Sequence, residues 1–404
     1  MIASHGRPRV AYIRGSYVNP FEVQYLEPLT ERYEIVIAYP RSHRYPLDSI
    51  QLPLRALHCL DFADGIVPRS LGSSQLPNPL KALGRDEFLL GLEAFLRDFD
   101  IVHVAEKTFY YAYQVARLKQ RLNLKLITVQ CEINPYWFAG RPGLMGRAQA
   151  VIDETDLFVA RSQRARAALL TEGVSADRID VIGHGIDPDR FKPGPRDVEL
   201  CSRFGIDPGR FVVLLVGRMV WEKGLYALAD AVASLVRDPE IQRVDPLFVI
   251  AGDGPERPGF ESHLQLLGLT DRFRLLGSVP YPLLPAVHRM ADVFVLPSIS
   301  TRTVLEQFGI ALIEAMGTGT PVIATHCGAI DEVVGDAGLL VQPNDHFRLA
   351  EALRELCLSP ERRRQLGAAG HARLLENFTA QAISEKIGLG YDRVLGREAP
   401  AGSG

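Results

Sequence analysis

Short, unbroken apolar runs recur along this chain, and their alternation with longer amphipathic segments restricts the fold more than any other feature. Phe211–Val216 and Leu247–Ala251 belong to this series in the second half, and Arg9–Ile13 begins it near the start. A strand that is buried on both faces has this length and composition, whereas a half-exposed strand alternates polar and apolar residues. Buried strands separated by helices predict parallel sheets that are covered by helices. The sequence therefore predicts an α/β protein.

A segment rich in proline, Asp187–Pro195, interrupts this alternation and predicts a linker between domains. The chain has 404 residues, which is the length of about two domains. We therefore predict a first domain over residues 1–190, a second over residues 196–381, and a flexible tail over residues 398–404. Apolar spacing also predicts a helix over residues 87–99.

Composition excludes several classes of protein. The chain carries 45 Lys and Arg against 48 Asp and Glu, a net charge of −3, without the concentrated basic segment of a nucleic-acid binder. Its five cysteines are odd in number and scattered, so neither a disulfide framework nor a zinc site is expected. The acids Asp187 and Asp189 are attributed to turn formation rather than to a metal. No apolar run reaches the roughly 20 residues that cross a bilayer, so we expect a cytoplasmic protein.

A loop and a helix between two buried strands carry a pair of glutamates. The strands are Asp292–Leu296 and Pro321–Thr325. Gly309 would open the helix with unpaired amides, which bind anions, and Glu314 would lie a little over one turn inside it. Glu306 lies in the preceding loop. Because carboxylates accept hydrogen bonds from vicinal hydroxyls, this pair suits a nucleotide sugar, although a solvated loop acid or a helix salt bridge would explain either glutamate alone.

Two cations lie on one short loop after the strand Phe211–Val216. Arg218 and Lys223 follow this strand at its carboxyl end, the edge at which α/β sheets bind ligands. A guanidinium and an ammonium group can neutralise a diphosphate without a metal ion. Isolated loop cations are usually solvated, but the glycine turn and the glutamate pair favour a diphosphate site here.

Candidates in the first domain are less specific. Gly15 and Ser16 follow the first strand, where they would either line a ligand cleft or form a simple tight turn. His103 lies within an apolar run, a position more typical of a core histidine than of a catalyst. Glu132 and three aromatic residues follow the strand Lys125–Val129, and this segment is consistent with an acceptor pocket and equally with a loop packed on its own apolar residues.

Four motifs of the second half follow one another in a specific order and spacing: Val216–Gly224, Ala251–Pro255, Leu296–Ser298 and Glu306–Pro321. Together they resemble the retaining glycosyltransferases of family 4. The first half resembles that family more loosely, through Asp100–His103 and the linker segment Val181–Phe191. The resemblance implies the GT-B architecture, in which two Rossmann-like domains face each other across a cleft. It also implies that the first domain binds the acceptor, that the second binds the donor, and that a last helix, residues 382–397, returns to the first domain.

The resemblance assigns roles to individual residues. Arg218 and Lys223 would bind the donor diphosphate, and Glu314 the ribose hydroxyls. Glu306 and the amides of Phe308–Ile310 would bind the transferred sugar. The donor would be a UDP- or GDP-linked sugar and the acceptor a hydroxyl group of a sugar, glycan or lipid-linked glycan. Retention of anomeric configuration, without a metal or other cofactor, is also implied.

The sequence departs from the family pattern where a general base is expected. Many members have a histidine where this chain has Gln130, and a second histidine where it has Ala105. This chain instead has a carboxylate, Glu132, two residues after Gln130. Glu132 and His103 therefore stay as candidate catalytic residues without a decision between them. His184 replaces the asparagine that is common before the linker glycine, and we expect it to contact substrate.

Two other functions fit the same residues. A nucleotide-sugar epimerase of the same architecture would alter the donor without an acceptor. A non-catalytic nucleotide-sugar-binding protein would leave it unchanged, but the intact acid pair and both cations disfavour this alternative.

A basic helix suggests membrane contact through the first domain. The cations Arg117, Lys119, Arg121 and Lys125 are interleaved with Tyr111, Tyr113 and Leu118. Such a face would suit lipid-linked acceptors at the inner face of the membrane, and an ordinary solvated helix has the same composition. The sequence leaves the oligomeric state open.

Overall fold

Two sheets of mainly parallel strands form the framework of the protein, whose computed structural model describes residues 6–60, 87–301 and 305–397. The chain divides into two units: the first runs through Gly185 and resumes at Ala380, and the second extends from Ile186 to Thr379. The predicted α/β class is confirmed. The change of unit precedes the predicted boundary at residue 190, because the Ile186 amide donates to the Phe378 carbonyl at 3.0 Å within the second unit.

The described strands of the first unit are β1 Arg9–Ile13, β2 Glu34–Pro40, β3 Leu54–Leu60, β4 Phe88–Leu90, β5 Ile101–Ala105, β6 Lys125–Gln130, β7 Leu157–Ala160 and β8 Ile179–Val181. Their order in the sheet is β4-β3-β2-β1-β5-β6-β7-β8. The strands pair in parallel except β3 with β4. The α-helices described before the change of unit are α1 Leu92–Leu96, α2 Tyr110–Leu122, α3 Pro142–Glu154 and α4 Gln163–Thr171.

The described strands of the second unit are β9 Val212–Val216, β10 Leu247–Ala251, β11 Phe273–Gly277, β12 Val293–Leu296, β13 Val322–Thr325 and β14 Gly338–Val341. They pair in parallel in the order β11-β10-β9-β12-β13-β14. The helices described here are α5 Val198–Arg203, α6 Leu225–Leu235, α7 Pro239–Val244, α8 Arg257–Leu266, α9 Leu284–Arg289, α10 Ile310–Gly317, α11 Ile330–Val334, α12 His346–Leu358 and α13 Pro360–Asn377.

The last helix, α14 (Ala380–Leu395), belongs to the first unit. Its residues Ile383, Ile387 and Tyr391 are buried in the same core as β1 and β2. Tyr33 donates its hydroxyl hydrogen bond to Asp392 at 2.7 Å, which ties α14 to the segment before β2. The C-terminal helix is therefore part of the first unit's core.

Each sheet reverses its strand order at one central strand. In the first unit β1 lies between β2 and β5, and in the second β9 lies between β10 and β12. Connections leave in opposite directions at such a point. The loop beyond the carboxyl end of β1 therefore borders a crevice of the first sheet, and the loop beyond β9 borders a separate crevice of the second sheet. Gly15 follows β1 and Arg218 follows β9, which places candidates at both reversal points.

The helix predicted over residues 87–99 is confirmed only over Leu92–Leu96, and its first part is wrong. The chain forms β4 and then α1, because Gly91 has a φ of 75° and interrupts the run. A left-handed residue of this kind ends a helix or starts a turn, and glycine adopts it without steric cost. The predicted flexible tail, residues 398–404, lies outside the described residues.

Candidate functional site

The loop after β9 carries the two predicted cations and packs closely against the end of β12. Gly224 ends this loop with a φ of 69°, and a Cβ there would lie 1.9 Å from the Pro297 carbonyl oxygen. Only glycine permits this approach. The close packing brings Lys223 next to the residues that follow β12.

Lys223 and Glu306 form the centre of the site. The Nζ atom of Lys223 lies 2.5 Å from Oε2 of Glu306, and the two side chains are 19% and 13% exposed. The hydroxyl of Ser298 donates to the same oxygen at 3.0 Å. Burial alone would raise the pKa of Glu306, but the charge and hydrogen bonds of Lys223, the Ser298 hydroxyl and the Arg218 charge outweigh it and hold that pKa below its usual value. Glu306 is therefore ionised at neutral pH.

Sequence reasoning did not assign Ser298 to the site. The available signal was its position immediately after a buried strand and a proline, at the sheet edge where ligands bind. A second unassigned residue, Gly328, follows β13 with a φ of 59°, and a Cβ there would lie 1.9 Å from the Glu306 carbonyl oxygen. The Ala329 amide donates to that oxygen at 2.9 Å. The loop after β13 therefore fixes the backbone of Glu306.

Arg218 lies on the same loop as Lys223 and is far more exposed. Its side chain is 66% exposed, and Nη2 lies 3.8 Å from Oε1 of Glu222. A weak, exposed pair of this kind leaves the guanidinium available to a ligand. The structure thus brings Arg218, Lys223 and Glu306 together, as the sequence predicted.

The start of α10 has the predicted form. Gly309 precedes the helix with a φ of 85°, and its Cβ position would be 2.8 Å from a Leu312 methyl carbon. Phe308 is buried and packs edge-on against Phe378 at 5.8 Å, so only its backbone can serve a ligand. Ile310 begins the helix, and the first amides of a helix lack intrahelical partners.

Glu314 occupies different surroundings. It is buried within α10, with Oε2 at 3.4 Å from Nε2 of His288, and it is hydrogen-bonded to Tyr281. Its contacts therefore belong to another cluster than that of Lys223 and Glu306.

The two candidate histidines of the first unit, His103 and His184, lie in buried surroundings. His103 Nδ1 is 2.7 Å from the Tyr391 hydroxyl, and burial, with a contribution from Arg161, lowers the pKa of His103 to about 3. His184 is also buried, and burial followed by the charges of Arg161 and Arg14 holds its pKa well below the usual value. Both imidazoles are neutral at pH 7, and His103 lies in the core, as its apolar sequence neighbourhood suggested.

The turn after β1 holds a carboxylate. Gly15 has a φ of 60°, and the Ser16 amide donates to Oε2 of Glu87 at 3.2 Å, while the Ser16 hydroxyl bonds to the other carboxylate oxygen. Glu87 was assigned no role from the sequence, because nothing local links it to a turn about 70 residues away.

The aromatic segment after β6 is held in place by a buried ion pair. Lys107 Nζ lies 2.9 Å from Glu172 Oε2, with both side chains 1% exposed, and it also donates to Gln130 at 3.0 Å. Glu172 in turn accepts from the Tyr136 amide at 2.9 Å. Trp137 is 41% exposed. Tyr136 is 45% exposed as well, so the segment combines a buried ion pair with two exposed rings.

Glu132 is held at the start of this segment. Its Oε1 accepts hydrogen bonds from the amides of Ile133 and Asn134, both at 2.9 Å. Burial raises the pKa of Glu132, and the neighbouring Glu106 adds to this, although the amides and Lys107 oppose them. A carboxyl with a raised pKa is closer to the range in which a general base operates.

The basic face of α2 is largely neutralised. Lys119 Nζ lies 3.0 Å from Asp156, and Arg121 lies 2.7 Å from Glu93. Tyr111, which was expected on this face, is buried in the core instead. Within residues 6–60, 87–301 and 305–397, no helix is both long and apolar enough to cross a membrane.

Two family models match consecutive parts of the chain. The model described as "Glycosyltransferase Family 4" matches residues 24–190, and that described as "Glycosyl transferases group 1" matches residues 200–373. The structure also resembles solved structures over nearly the whole chain. Anabaena Alr3699/HepE in complex with UDP and glucose has a TM-score of 0.75, 20% identity and coverage of 96% of this chain and 100% of that one. Sucrose-phosphate synthase from Thermosynechococcus elongatus has a TM-score of 0.72 and 21% identity, with 96% and 100% coverage.

Several curated relatives are similar in sequence. The 2-deoxystreptamine glucosyltransferase of Streptomyces kanamyceticus is 34% identical over 242 residues, which are 59% of this chain but only 60% of that protein. A D-inositol 3-phosphate glycosyltransferase of Rhodococcus erythropolis is 36% identical over 59% of this chain and 54% of its own length. The D-inositol 3-phosphate glycosyltransferase 1 of Catenulispora acidiphila is 30% identical over 340 residues, 78% of each protein. Because this last match extends over most of the chain and the two family models divide the chain between them, the protein belongs to the GT-B glycosyltransferases of the family 4 type.

Proposed function

We propose that the protein transfers a sugar from a nucleoside diphosphate sugar to a hydroxyl acceptor, with retention of anomeric configuration. The contact between Lys223 and Glu306 at the edge of the second sheet carries this proposal. There the ammonium group of Lys223, which can bind a phosphate, lies beside the carboxylate of Glu306, which can accept hydrogen bonds from sugar hydroxyls. Arg218 lies on the same loop as Lys223. In this assignment the second unit binds the donor and the first binds the acceptor.

Stabilisation of the leaving group is the main catalytic contribution in this mechanism. Negative charge grows on the diphosphate as the glycosidic bond breaks, and fixed cations that face it lower the barrier. An ammonium group has three N–H donors, so Lys223 can hold a phosphate oxygen while it keeps Glu306 in place. Arg218 and the first amides of α10 add further donors.

Glu306 would orient the transferred sugar. Its low pKa keeps it ionised, and an ionised carboxylate only accepts hydrogen bonds. Lys223 and Ser298 both contact Oε2, and a carboxylate accepts about four hydrogen bonds in all, so acceptor capacity remains for sugar hydroxyls.

The acceptor hydroxyl would give its proton to the leaving phosphate. His103 is neutral but lies in the core, and Glu132 is engaged with two backbone amides. A phosphate oxygen of the departing diphosphate gains basicity as the bond breaks, on the face from which a retaining attack arrives. Glu132, with its raised pKa, is the alternative base.

Relatives guide the choice of substrates. The Anabaena structure contains UDP and glucose, and the Streptomyces relative is named a glucosyltransferase, so UDP-glucose is the first donor to test, with GDP-linked sugars beside it. The named relatives act on 2-deoxystreptamine or D-inositol 3-phosphate, so polyhydroxylated rings are the first acceptors to test beside glycans. The two cations supply the charge that a divalent ion would supply, and we propose a reaction that persists in EDTA.

Product analysis tests the proposal. Purified protein is incubated with each nucleotide sugar, with and without acceptor, and products are identified by mass spectrometry and by the anomeric coupling in NMR spectra. A new glycoside with the donor's configuration is expected. An altered nucleotide sugar formed without acceptor would instead indicate an epimerase, and an unchanged donor in every mixture would indicate a binding protein.

Substitution of Arg218 tests the site itself. Arg218→Ala should lower kcat/KM by about 100- to 1,000-fold, the range found when one charge-stabilising donor is removed. Arg348→Ala is the matched control, because this side chain lies in the same unit and is 69% exposed. Full activity in Arg218→Ala would remove the diphosphate role of this loop.

Membrane contact through α2 stays a prediction with a narrower basis. Arg117 lies on α2 and Lys125 begins β6, so Lys125 is not part of the helix as predicted, and Lys119 and Arg121 are paired with acids. Flotation with anionic vesicles at low and high salt checks it, and absence of binding at low salt would end it.

A further inference from the structure

Glu314 is a buried carboxylate whose known partners are not cations. Its side chain is 4% exposed, and Oε2 lies 3.4 Å from Nε2 of His288. A hydrogen bond with the Tyr281 hydroxyl provides the second contact. Within the described part of the chain, Glu314 forms no ion pair with a lysine or an arginine. Burial of a carboxylate without a lysine or arginine partner is costly unless hydrogen-bond donors lie close to it, so the donors around Glu314 are important for this position.

Tyr281 links Glu314 to a positive charge. Burial raises the pKa of the Tyr281 hydroxyl, and the charge of Glu314 raises it further, whereas a hydrogen bond from Arg190 acts in the opposite direction. These directions fit a hydroxyl that accepts from Arg190 and donates to Glu314. The guanidinium therefore acts on the carboxylate through the tyrosine.

His288 is held rigidly on the other side. The residue is fully buried, and its ring lies 6.0 Å from the ring of Phe191 and 5.5 Å from that of Phe294. Aromatic neighbours on two sides restrict rotation of the imidazole. The nitrogen that faces Glu314 is thus fixed in place.

The Tyr281 hydroxyl donates to Glu314, whereas Nε2 of His288 lies 3.4 Å from Oε2 without forming a hydrogen bond. Acceptor capacity therefore remains on Glu314, because the two oxygens of a carboxylate accept about four hydrogen bonds. Glu314 lies five residues beyond Gly309, which at 1.5 Å per residue is about 8 Å along the helix from its N-terminal end. One nucleoside diphosphate can span that distance, with phosphate at the helix end and ribose near Glu314. The two vicinal hydroxyls of a ribose would supply the missing donors.

We propose that Tyr281 and His288 are positioning residues that hold the Glu314 carboxylate for the 2′- and 3′-hydroxyls of the donor ribose. This inference rests on the proposed function. It adds that recognition of ribose depends on Tyr281 and His288, which together are called the shell of Glu314. Loss of either shell residue should weaken binding of ribonucleotides specifically, and leave binding of the diphosphate and base in place.

Isothermal titration with UDP and GDP, and with their 2′,3′-dideoxy counterparts, tests the proposal. The dideoxy compounds lack the hydroxyls that Glu314 would bind, so the ratio of the two dissociation constants measures ribose recognition. Tyr281→Phe should weaken binding of the ribonucleotide roughly tenfold, the effect of one lost hydrogen bond to a charged group. His288→Asn should weaken it in the same direction, because the imidazole that packs beside the carboxylate is removed. Binding of the dideoxy compound should change by less than about twofold.

Tyr226→Phe is the matched control. This tyrosine lies in the same unit and donates to another glutamate, Glu256, at 2.8 Å. The substitution removes a tyrosine hydroxyl that also binds a glutamate. The ratio of the dissociation constants of the ribonucleotide and the dideoxy compound should therefore equal that of the unmodified protein. Tyr281→Phe retains the packing of the ring on Phe191, at 6.0 Å, and decides the question if His288→Asn does not fold.

The outcomes distinguish a failure of the inference about Tyr281 and His288 from a failure of the proposed function. If the variants weaken both compounds equally, or neither, the shell is only structural and the inference is overturned. If the unmodified protein binds ribose and dideoxy compounds alike, the ribose role of Glu314 is overturned as well. If it binds neither UDP nor GDP, the proposed function itself fails.

Discussion

Replacement of Lys223 by methionine should destabilise the second unit and strongly lower activity, whereas replacement of Arg218 should strongly lower activity without destabilising the unit. The two cations share a loop and a proposed role, but Lys223 is 19% exposed and 2.5 Å from Glu306, while Arg218 is 66% exposed and 3.8 Å from Glu222. Stability and catalysis should therefore separate at these two positions.

The expected magnitudes follow from burial. At 2.5 Å and an effective dielectric constant of 20, the attraction between Lys223 and Glu306 is about 7 kcal/mol, most of which desolvation offsets. Breaking a fully buried pair costs about 3–5 kcal/mol and an exposed pair about 0–1 kcal/mol. We expect about 2 kcal/mol for Lys223→Met, and at most about 0.5 kcal/mol for Arg218→Met.

The pH dependence of this loss has a definite sign. Glu306 has a lowered pKa in the folded protein, so it stabilises the fold above its unfolded value of about 4.3 and loses this contribution as the pH falls through the folded value. The difference between unmodified protein and Lys223→Met should therefore be largest near neutral pH and shrink below about pH 4.3.

Urea denaturation followed by tryptophan fluorescence measures the change. The chain has two tryptophans, one in each unit, so a Trp137→Phe background leaves Trp221 as the reporter of the second unit. The double variant Lys223→Met with Glu306→Gln should recover part of the lost stability, because it no longer buries an unpaired carboxylate. Equal destabilisation by Lys223→Met and Arg218→Met, or no recovery in the double variant, would refute the reasoning.

Three further predictions follow from the described contacts. Lys107→Met should lower stability by about 3–5 kcal/mol in urea denaturation, because Glu172 is left buried without a cation, and adding Glu172→Gln should restore part of it. His103 should not titrate between pH 5 and 8 in NMR spectra. Because its folded pKa of about 3 lies below the unfolded value of about 6.5, its share of stability should decrease by up to about 1.4 kcal/mol per pH unit as the pH falls below 6.5, and His103→Gln should remove that share. Gly328→Ala should cost about 1–3 kcal/mol in thermal unfolding from its φ of 59° alone, and reduce transfer activity further by displacing Glu306; unchanged activity would contradict the positioning of Glu306 by this loop.

The second unit could be predicted in detail because its signals are local. Continuous apolar runs mark β9 and β12, and residues that follow parallel strands meet at one sheet edge. These two patterns alone predict that Arg218, Lys223 and Glu306 lie close together. The glycines at 224 and 309 added turns that other residues adopt only with strain.

Other features depend on partners that are distant in sequence and leave no local trace. Glu87 binds the turn at Ser16, and Lys107 pairs with Glu172, although each cation or acid alone resembles a solvated surface residue. The shell around Glu314 was missed for the same reason. Periodicity indicates where a strand or helix runs, but the partner of a buried charge is set by the tertiary structure.

The position of α14 affects how the protein is made. Ile383, Ile387 and Tyr391 fill the core of the first unit, yet a ribosome adds them after the roughly 190 residues of the second unit, a delay of about 10–40 s at usual elongation rates. Throughout that interval the nascent first unit has an apolar gap that only the end of the chain fills. A chaperone that shields this gap during translation would raise the yield of native protein, and premature termination before Ala380 would leave a product prone to aggregation.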